Sequence, residues 1–221
     1  AMRGYRAVLV ERVDLGQGTT GRFHGLLHSG GRYVVSDPGS ATECAEENAI
    51  LRRIQASAVE DTGGFFVTLA DDDPAYADKF LEGAKATGVP ATEISVKEAL
   101  RREPRLDPRI QRAIEVADGS VDGWQLVWGA ARSAEAHGAK VLTYHRVTKI
   151  ERDGDRVAAV ICRDEKGGED VRITCTFVLN CAGPWAGQIA EMAGAEPVEV
   201  VPGRGIMIAM NHRLVNSVVN R

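Results

Sequence analysis

The run Tyr5-Arg6-Ala7-Val8-Leu9-Val10-Glu11 is largely apolar, without the alternation of a half-wet strand, and it closes on a carboxylate. A strand of this kind is buried on both faces, which is the habit of parallel sheets covered by helices. An acid at such a strand end is where a dinucleotide-binding unit meets the adenosine ribose hydroxyls. That unit also sets a glycine-rich turn about 20 residues before the acid, yet only ten residues precede Glu11. No G-x-G-x-x-G occurs elsewhere, since Gly203-Arg204-Gly205 lacks the third glycine and precedes an apolar run. The expectation is an α/β fold with an incomplete Rossmann-like sheet. Its first strand and Gly-rich turn are absent, and with them the backbone N–H groups that hold a pyrophosphate.

Periodicity places the other elements. Helical spacing runs over residues 40–57, where Ala41, Cys44, Ala45, Ala49, Ile50 and Ile54, with Ala58 just beyond, trace one side. Helices are also expected over 74–87, 96–102, 122–137 and 185–193, with Asp122 as an N-cap and Gly88 and Gly138 as stops. Strands are expected over 65–69, 110–116, 140–142, 147–152, 157–163, 171–176, 177–180 and 205–210. Turns at Asp153-Gly154 and Gly167-Gly168 make part of this set a β-meander.

Composition narrows the function classes. A net charge of −4 on 221 residues advertises no nucleic-acid face, and no apolar run reaches the roughly 20 residues of a membrane span. Cys44, Cys162, Cys175 and Cys181 form no C-x-x-C pair and no zinc-spaced set, so they read as reduced thiols and no metal is expected. The run from Gly18 to Tyr33 is rich in Gly, Thr and His. Its glycines let backbone approach a flat ring closely, and its hydroxyls suit the polar edges of a cofactor; a glycine-rich surface loop is the bland alternative. Arg32-Tyr33 offers a guanidinium fork and a phenol, a pairing suited to a phosphate.

The loop Thr19-Thr20-Gly21-Arg22-Phe23-His24-Gly25-Leu26-Leu27-His28-Ser29-Gly30-Gly31-Arg32-Tyr33, with Val10-Glu11 upstream, resembles the FAD-dependent glycerol-3-phosphate dehydrogenases, in particular the catalytic subunit of the anaerobic type. Gly63-Gly64-Phe65-Phe66-Val67-Thr68-Leu69, Asp118-Gly119-Ser120-Val121-Asp122, Asn180-Cys181-Ala182-Gly183-Pro184-Trp185-Ala186 and Pro202-Gly203-Arg204-Gly205 are similar to the same family in the same order. The Asn-Cys-Ala-Gly-Pro-Trp run is shared with the wider amino-acid-oxidase-like flavoproteins. The resemblance covers almost the whole chain and implies an internal piece of a longer enzyme.

The resemblance implies FAD as cofactor, held by Glu11, Arg12, Thr19, Thr20, Gly21, His24, Gly25, Leu26, Leu27, His28, Val147, Ala182, Gly183 and Trp185, with Arg32 and Tyr33 at the substrate phosphate. It implies FAD-binding segments at 1–60 and 119–196, the latter carrying the meander. An inserted mixed α+β substrate domain is implied at 61–118, with a second part beginning at 197–221. The implied reaction oxidises sn-glycerol 3-phosphate to dihydroxyacetone phosphate and passes electrons toward quinone. Partner subunits are implied, as is a cytoplasmic setting peripheral to the inner face of the cell membrane. No residue is assigned as the catalytic base; Met207 stands where some relatives carry a histidine. Two other readings stay open: a related flavoenzyme acting on an amino or hydroxy acid, and a non-catalytic piece without flavin.

Overall fold

The computed structural model describes residues 1–201, 203 and 205–221. Pro202 and Arg204 of the Pro-Gly-Arg-Gly run lie outside the described residues. In chain order the elements begin with β1 (Val8–Val10), β2 (Leu26–Leu27), α1 (Pro38–Ile54), β3 (Val59–Glu60) and β4 (Gly64–Thr68). Then come α2 (Tyr76–Thr87), β5 (Ala91–Ile94), α3 (Val96–Arg102), β6 (Arg112–Val116), β7 (Gly119–Val121) and α4 (Gly123–Ala136). The last are β8 (Lys140–Leu142), β9 (His145–Asp153), β10 (Arg156–Asp164), β11 (Asp170–Thr174), α5 (Ala186–Met192) and β12 (Val218–Asn220).

Capping explains why the helices start and stop where they do. Asp37 accepts from the Ser40 N–H ahead of α1, with Pro38 at the first helical position. Ser95 accepts from the Glu98 N–H at 3.2 Å, and Glu98 sits at the capping-box position of α3. Asp122 Oδ1 accepts from the N–H groups of Trp124 and Gln125 at 2.9 and 3.1 Å ahead of α4. Gly88 ends α2 in the left-handed region, at φ +73°.

The chain forms two compact units, residues 24–126 with 208–221, and residues 1–23 with 127–207. These boundaries are drawn by packing, whereas the segments 1–60, 61–118, 119–196 and 197–221 are drawn by resemblance.

In the unit of 24–126 and 208–221, a sheet of order β12-β4-β6-β5 carries apolar packing on both faces. Along β4 the period of two sends Phe66 into one cluster, with Phe80, Ala41, Ala77 and Ile114, and Phe65 and Val67 into the other, with Ala99, Leu106 and Ala113. Phe65 and Phe80 are fully buried, each stabilising the unit by about 1.5–3 kcal/mol. A small antiparallel sheet of order β2-β7-β3 adjoins β6 in sequence. Buried Glu103 holds the final segment, accepting from the Asn216 N–H and the Ser217 hydroxyl at 2.8 and 2.9 Å.

In the unit of 1–23 and 127–207, β1 pairs with β8 in parallel, as the opening run suggests. The meander is the antiparallel sheet β11-β10-β9. Ile150, Val160 and Cys162 form its buried centre, with Val10, Val147, Val178 and Ile189 packed against it. Cys44, Cys162, Cys175 and Cys181 are free thiols.

Three expectations fail. The opening strand is parallel but not buried, since Val8 and Leu9 are 41% and 44% exposed. Residues 177–180 form no strand, and Phe177 and Leu179 are 77% and 76% exposed. Residues 205–210 form none either, and the strand near that end is β12, paired with β4. Apolar, β-branched composition favours a strand, but the ladder needs a neighbour, and among the described residues neither segment has one.

Candidate functional site

One buried carboxylate fastens the glycine- and histidine-rich loop at His28 and Ser29. Asp118 follows β6, and its side chain is 1% exposed. Its Oδ1 accepts from the Ser29 N–H at 2.8 Å and the Ser29 hydroxyl at 2.7 Å. Its Oδ2 faces His28 Nδ1 at 3.0 Å and accepts from Asn220 Nδ2 at 3.1 Å. Four donors therefore converge on two oxygens, which is how a buried charge is tolerated. Burial, the largest influence, pushes the Asp118 carboxyl up. The hydrogen bonds from His28 and Ser29 outweigh it and hold the group below its ordinary value. The space is tight: a side chain at Gly64 would bring a Cβ to within 2.8 Å of the Asp118 Cβ.

The backbone around this contact is fixed from several sides. Leu26 and Leu27 form β2 and pair with Ser120 and Gly119. The Gly25 carbonyl accepts from the Val121 N–H at 2.8 Å. Buried Asn48 on α1 donates to the His28 carbonyl at 3.1 Å, and its own Oδ1 accepts from Arg52 Nε at 2.7 Å. Gly30 has φ +96°, and a Cβ there would strike the Ala41 carbonyl oxygen at 2.3 Å, so only glycine fits where the loop crosses α1.

This scaffold presents the side chains. His28 turns Nδ1 toward a carboxylate, so that nitrogen carries the proton and Nε2 is left as an acceptor. Nε2 is buried and has no hydrogen-bond partner among the described residues. His24 lies edge-on to His28, with ring centroids 5.1 Å apart. Its Nδ1 accepts from the Leu26 N–H at 3.1 Å. Burial, then the nearby His28 and Arg32, lower the His24 pKa. Arg32 and Tyr33 stand on the exposed side of the turn that follows Gly30, with Tyr33 42% exposed. His24, Gly25, Leu26, Leu27, His28, Arg32 and Tyr33 thus share one region with Asp118.

The other expected residues lie in the other unit. Glu11 continues the β1 ladder, its N–H donating to the Leu142 carbonyl at 2.9 Å, and its carboxylate accepts from the Val13 N–H at 3.1 Å. A cleft of about 720 Å³ follows, lined by Arg12, Gln17, Gly18, Arg22, Tyr144 and Trp185 among others. The Arg12 guanidinium lies 4.3 Å from the Trp185 ring centroid. Arg22 donates to the carbonyls of Gln17 and Gly18. Thr19, Thr20 and Gly21 form an exposed 3-10 turn. Ala182 and Gly183 lead into the turn before α5, with open space where a Gly183 side chain would stand. Val147 is apart from the cleft lining, its side chain in the meander core.

Sequence reading missed Ser29, Asn48, Asp118 and Asn220 as members of the loop's anchor. The signal for Asp118 was present: an acid at the end of a strand buried by its pattern, followed by Gly-Ser-Val. It needed a partner 90 residues upstream, and spacing carries no such information. Among the described residues no group of three or more metal-ligating side chains occurs, and no helix is long and apolar enough to cross a membrane.

The family model described as "FAD dependent oxidoreductase" matches residues 1–219. The chain belongs to that family. An anaerobic glycerol-3-phosphate dehydrogenase subunit from Haloferax volcanii is 47% identical across the whole chain, which spans 39% of that protein. An anaerobic glycerol-3-phosphate dehydrogenase subunit from Escherichia coli K12 is 41% identical across the whole chain, which spans 41% of it. The chain therefore spans about two-fifths of the length of these relatives. Among solved structures, L-proline dehydrogenase from P. horikoshii superposes with a TM-score of 0.76 at 23% identity, over 87% of this chain and 50% of that one. That likeness supports the FAD dependent oxidoreductase fold.

The residues fit the family's cofactor. A strand-end carboxylate at Glu11 suits ribose hydroxyls, and the Arg12 and Arg22 guanidiniums of the cleft suit phosphate oxygens. Gly183 is exposed, with nothing within 4 Å of where a Cβ would stand, so its backbone can be approached closely by a planar group.

Proposed function

We propose that the protein carrying this chain oxidises sn-glycerol 3-phosphate to dihydroxyacetone phosphate with FAD as cofactor. The observation that carries the reading is the loop around His28, where a largely buried imidazole with an unpartnered Nε2 sits in the same loop as an exposed Arg-Tyr pair. A phosphorylated secondary alcohol needs both features: an acceptor for its hydroxyl proton and a fork for its phosphate. The names and identities of the two glycerol-3-phosphate dehydrogenase relatives support the same choice.

In this reading Arg32 and Tyr33 bind the phosphate and so orient the alcohol. His28 Nε2 takes the hydroxyl proton as the carbonyl forms. Glu11, Arg12 and Arg22 hold the adenosine and phosphate portions of FAD, and Thr19, Thr20, Gly21, His24, Gly25, Leu26 and Leu27 line its course. Ala182, Gly183 and Trp185 border it, and Val147 contributes through its backbone. When bound, FAD supplies the two-electron acceptor for the hydrogen and electron pair that leave carbon. The protein works with partner subunits at the cytoplasmic face of the membrane and delivers electrons toward quinone; that both relatives are named as subunits supports an assembly.

The test is anaerobic mixing of the intact, flavin-loaded protein with candidate substrates, followed by absorbance of the flavin. Bleaching by sn-glycerol 3-phosphate at millimolar concentration is the expected result. Bleaching by proline or glycine, with none by glycerol 3-phosphate, would replace this reading with an amino-acid oxidation.

A further inference from the structure

We infer that Asp118 is a positioning residue, which acts through His28 to fix its tautomer and orient its unpartnered nitrogen. The inference rests on the reading of His28 as the proton acceptor. An imidazole serves as a base only through an unprotonated nitrogen, and in solution it exchanges freely between its two neutral tautomers. Here Oδ2 of a fully buried carboxylate stands 3.0 Å from Nδ1. That contact keeps the proton on Nδ1 and therefore keeps Nε2 bare. The carboxylate cannot swing away, because Ser29 holds Oδ1 through two hydrogen bonds and Asn220 holds Oδ2 through one. Asp118 also stabilises the imidazolium that forms when Nε2 takes a proton, while remaining ionised itself.

The network is built more heavily than anchoring a loop requires. Gly25, Leu26, Leu27 and the His28 carbonyl are already fixed by β7 and by Asn48. What Asp118 adds is contact with the imidazole and with the residue next to it. Beside the pair, His24 lies edge-on to His28 at 5.1 Å, and the charge of Arg32 reaches His24.

The experiment measures kcat, KM and flavin content of the intact protein from pH 5.5 to 9.5, with glycerol 3-phosphate and a dye acceptor. Asp118→Asn keeps the size of the side chain but lets its amide turn an N–H toward His28, which favours the other tautomer. The expected result is a kcat lower by about 100- to 1,000-fold, KM and flavin content within about threefold, and a rising pH limb displaced to lower pH. Asp118→Asn added to His28→Gln should cost nothing more, because the two residues act as one unit. Asn220→Ala removes a competing donor from Oδ2 and should move the limb to higher pH, a result that does not depend on the Asn variant folding.

Additive losses in the double variant would overturn the inference, as would an Asp118→Asn enzyme whose loss lies in flavin content or KM. So would an Asn220→Ala limb that stays in place. If His28→Gln alone leaves kcat intact, the assignment of His28 as the base fails first and takes this inference with it. That result is distinct from a normal His28→Gln loss with no coupling to Asp118.

Discussion

The two polar regions of this chain are built on opposite principles. Around Asp118 every donor is counted and the carboxylate is inaccessible to water. Around Arg12 and Arg22 the guanidiniums are exposed, one over the Trp185 ring and the other bonded to carbonyls of its own turn. The first arrangement fixes a single side chain in one orientation. The second supplies positive charge over a cleft of about 720 Å³ and tolerates adjustment. Proton transfer depends on sub-ångström placement of a donor and acceptor, whereas holding phosphates needs charge of the right sign within reach. The chain spends its buried hydrogen bonds on the former.

The largest effect that would break this contrast is at Asp118. Asp118→Ala leaves four donors around an empty site and is expected to destabilise its unit by about 3–5 kcal/mol, measured by urea unfolding of the intact protein. A loss below about 1 kcal/mol would mean that the network is slack. The contribution also has a pH signature. The folded carboxyl sits below its ordinary value, so its stabilisation is present above about pH 4 and is lost as pH falls through the folded value. The stability gap between wild type and Asp118→Asn should therefore narrow as pH falls below about 4.

A middle-sized effect belongs to Arg32. It is exposed like Arg12, yet it shares the loop that Asp118 anchors, so it tests which principle governs substrate binding. Loss of a charge-assisted bond of about 1.5–3 kcal/mol predicts that Arg32→Ala raises KM for glycerol 3-phosphate by about 10- to 100-fold with kcat within threefold. Arg32→Lys should recover only part of it, because an ammonium cannot form the fork. A fall in kcat with unchanged KM would move Arg32 from phosphate binding to the chemistry.

Legibility from sequence divides along the same line. The capped helices were readable because their signals are local: Ser95 with Glu98, Asp122 with Trp124, Gly88 in the left-handed region. The meander was readable from its turns, and the parallel pairing of β1 from its unbroken apolar run. Segments 177–180 and 205–210 looked like strands for the same compositional reason and are not, because pairing is settled by a neighbour elsewhere in the chain. Short strands such as β2, β7 and β12 escaped notice for the converse reason, since their partners define them more than their residues do. His24, His28, Arg32 and Tyr33 were picked out together, but the difference between the two histidines was invisible. It lies in Asp118 and Asn220, 90 and 192 positions away from His28.

The smallest effect is expected at Trp185, and it sharpens the comparison from the other side. A guanidinium over an indole ring at a partly exposed site is worth about 0.5–1 kcal/mol, so Trp185→Ala should weaken FAD binding by only about two- to sixfold. Titration of the deflavinated intact protein, followed by quenching of flavin fluorescence, measures this directly. Salt should matter more here than at Asp118, because exposed charges are screened within about 10 Å at 0.1 M ionic strength and buried ones much less. Raising salt from about 0.05 to 0.5 M is expected to weaken FAD binding while leaving the rising pH limb of kcat unmoved. If the limb moves with salt and FAD affinity does not, the two regions have been assigned the wrong way round. His28 would then be the water-exposed charge and the arginine cleft the closed one.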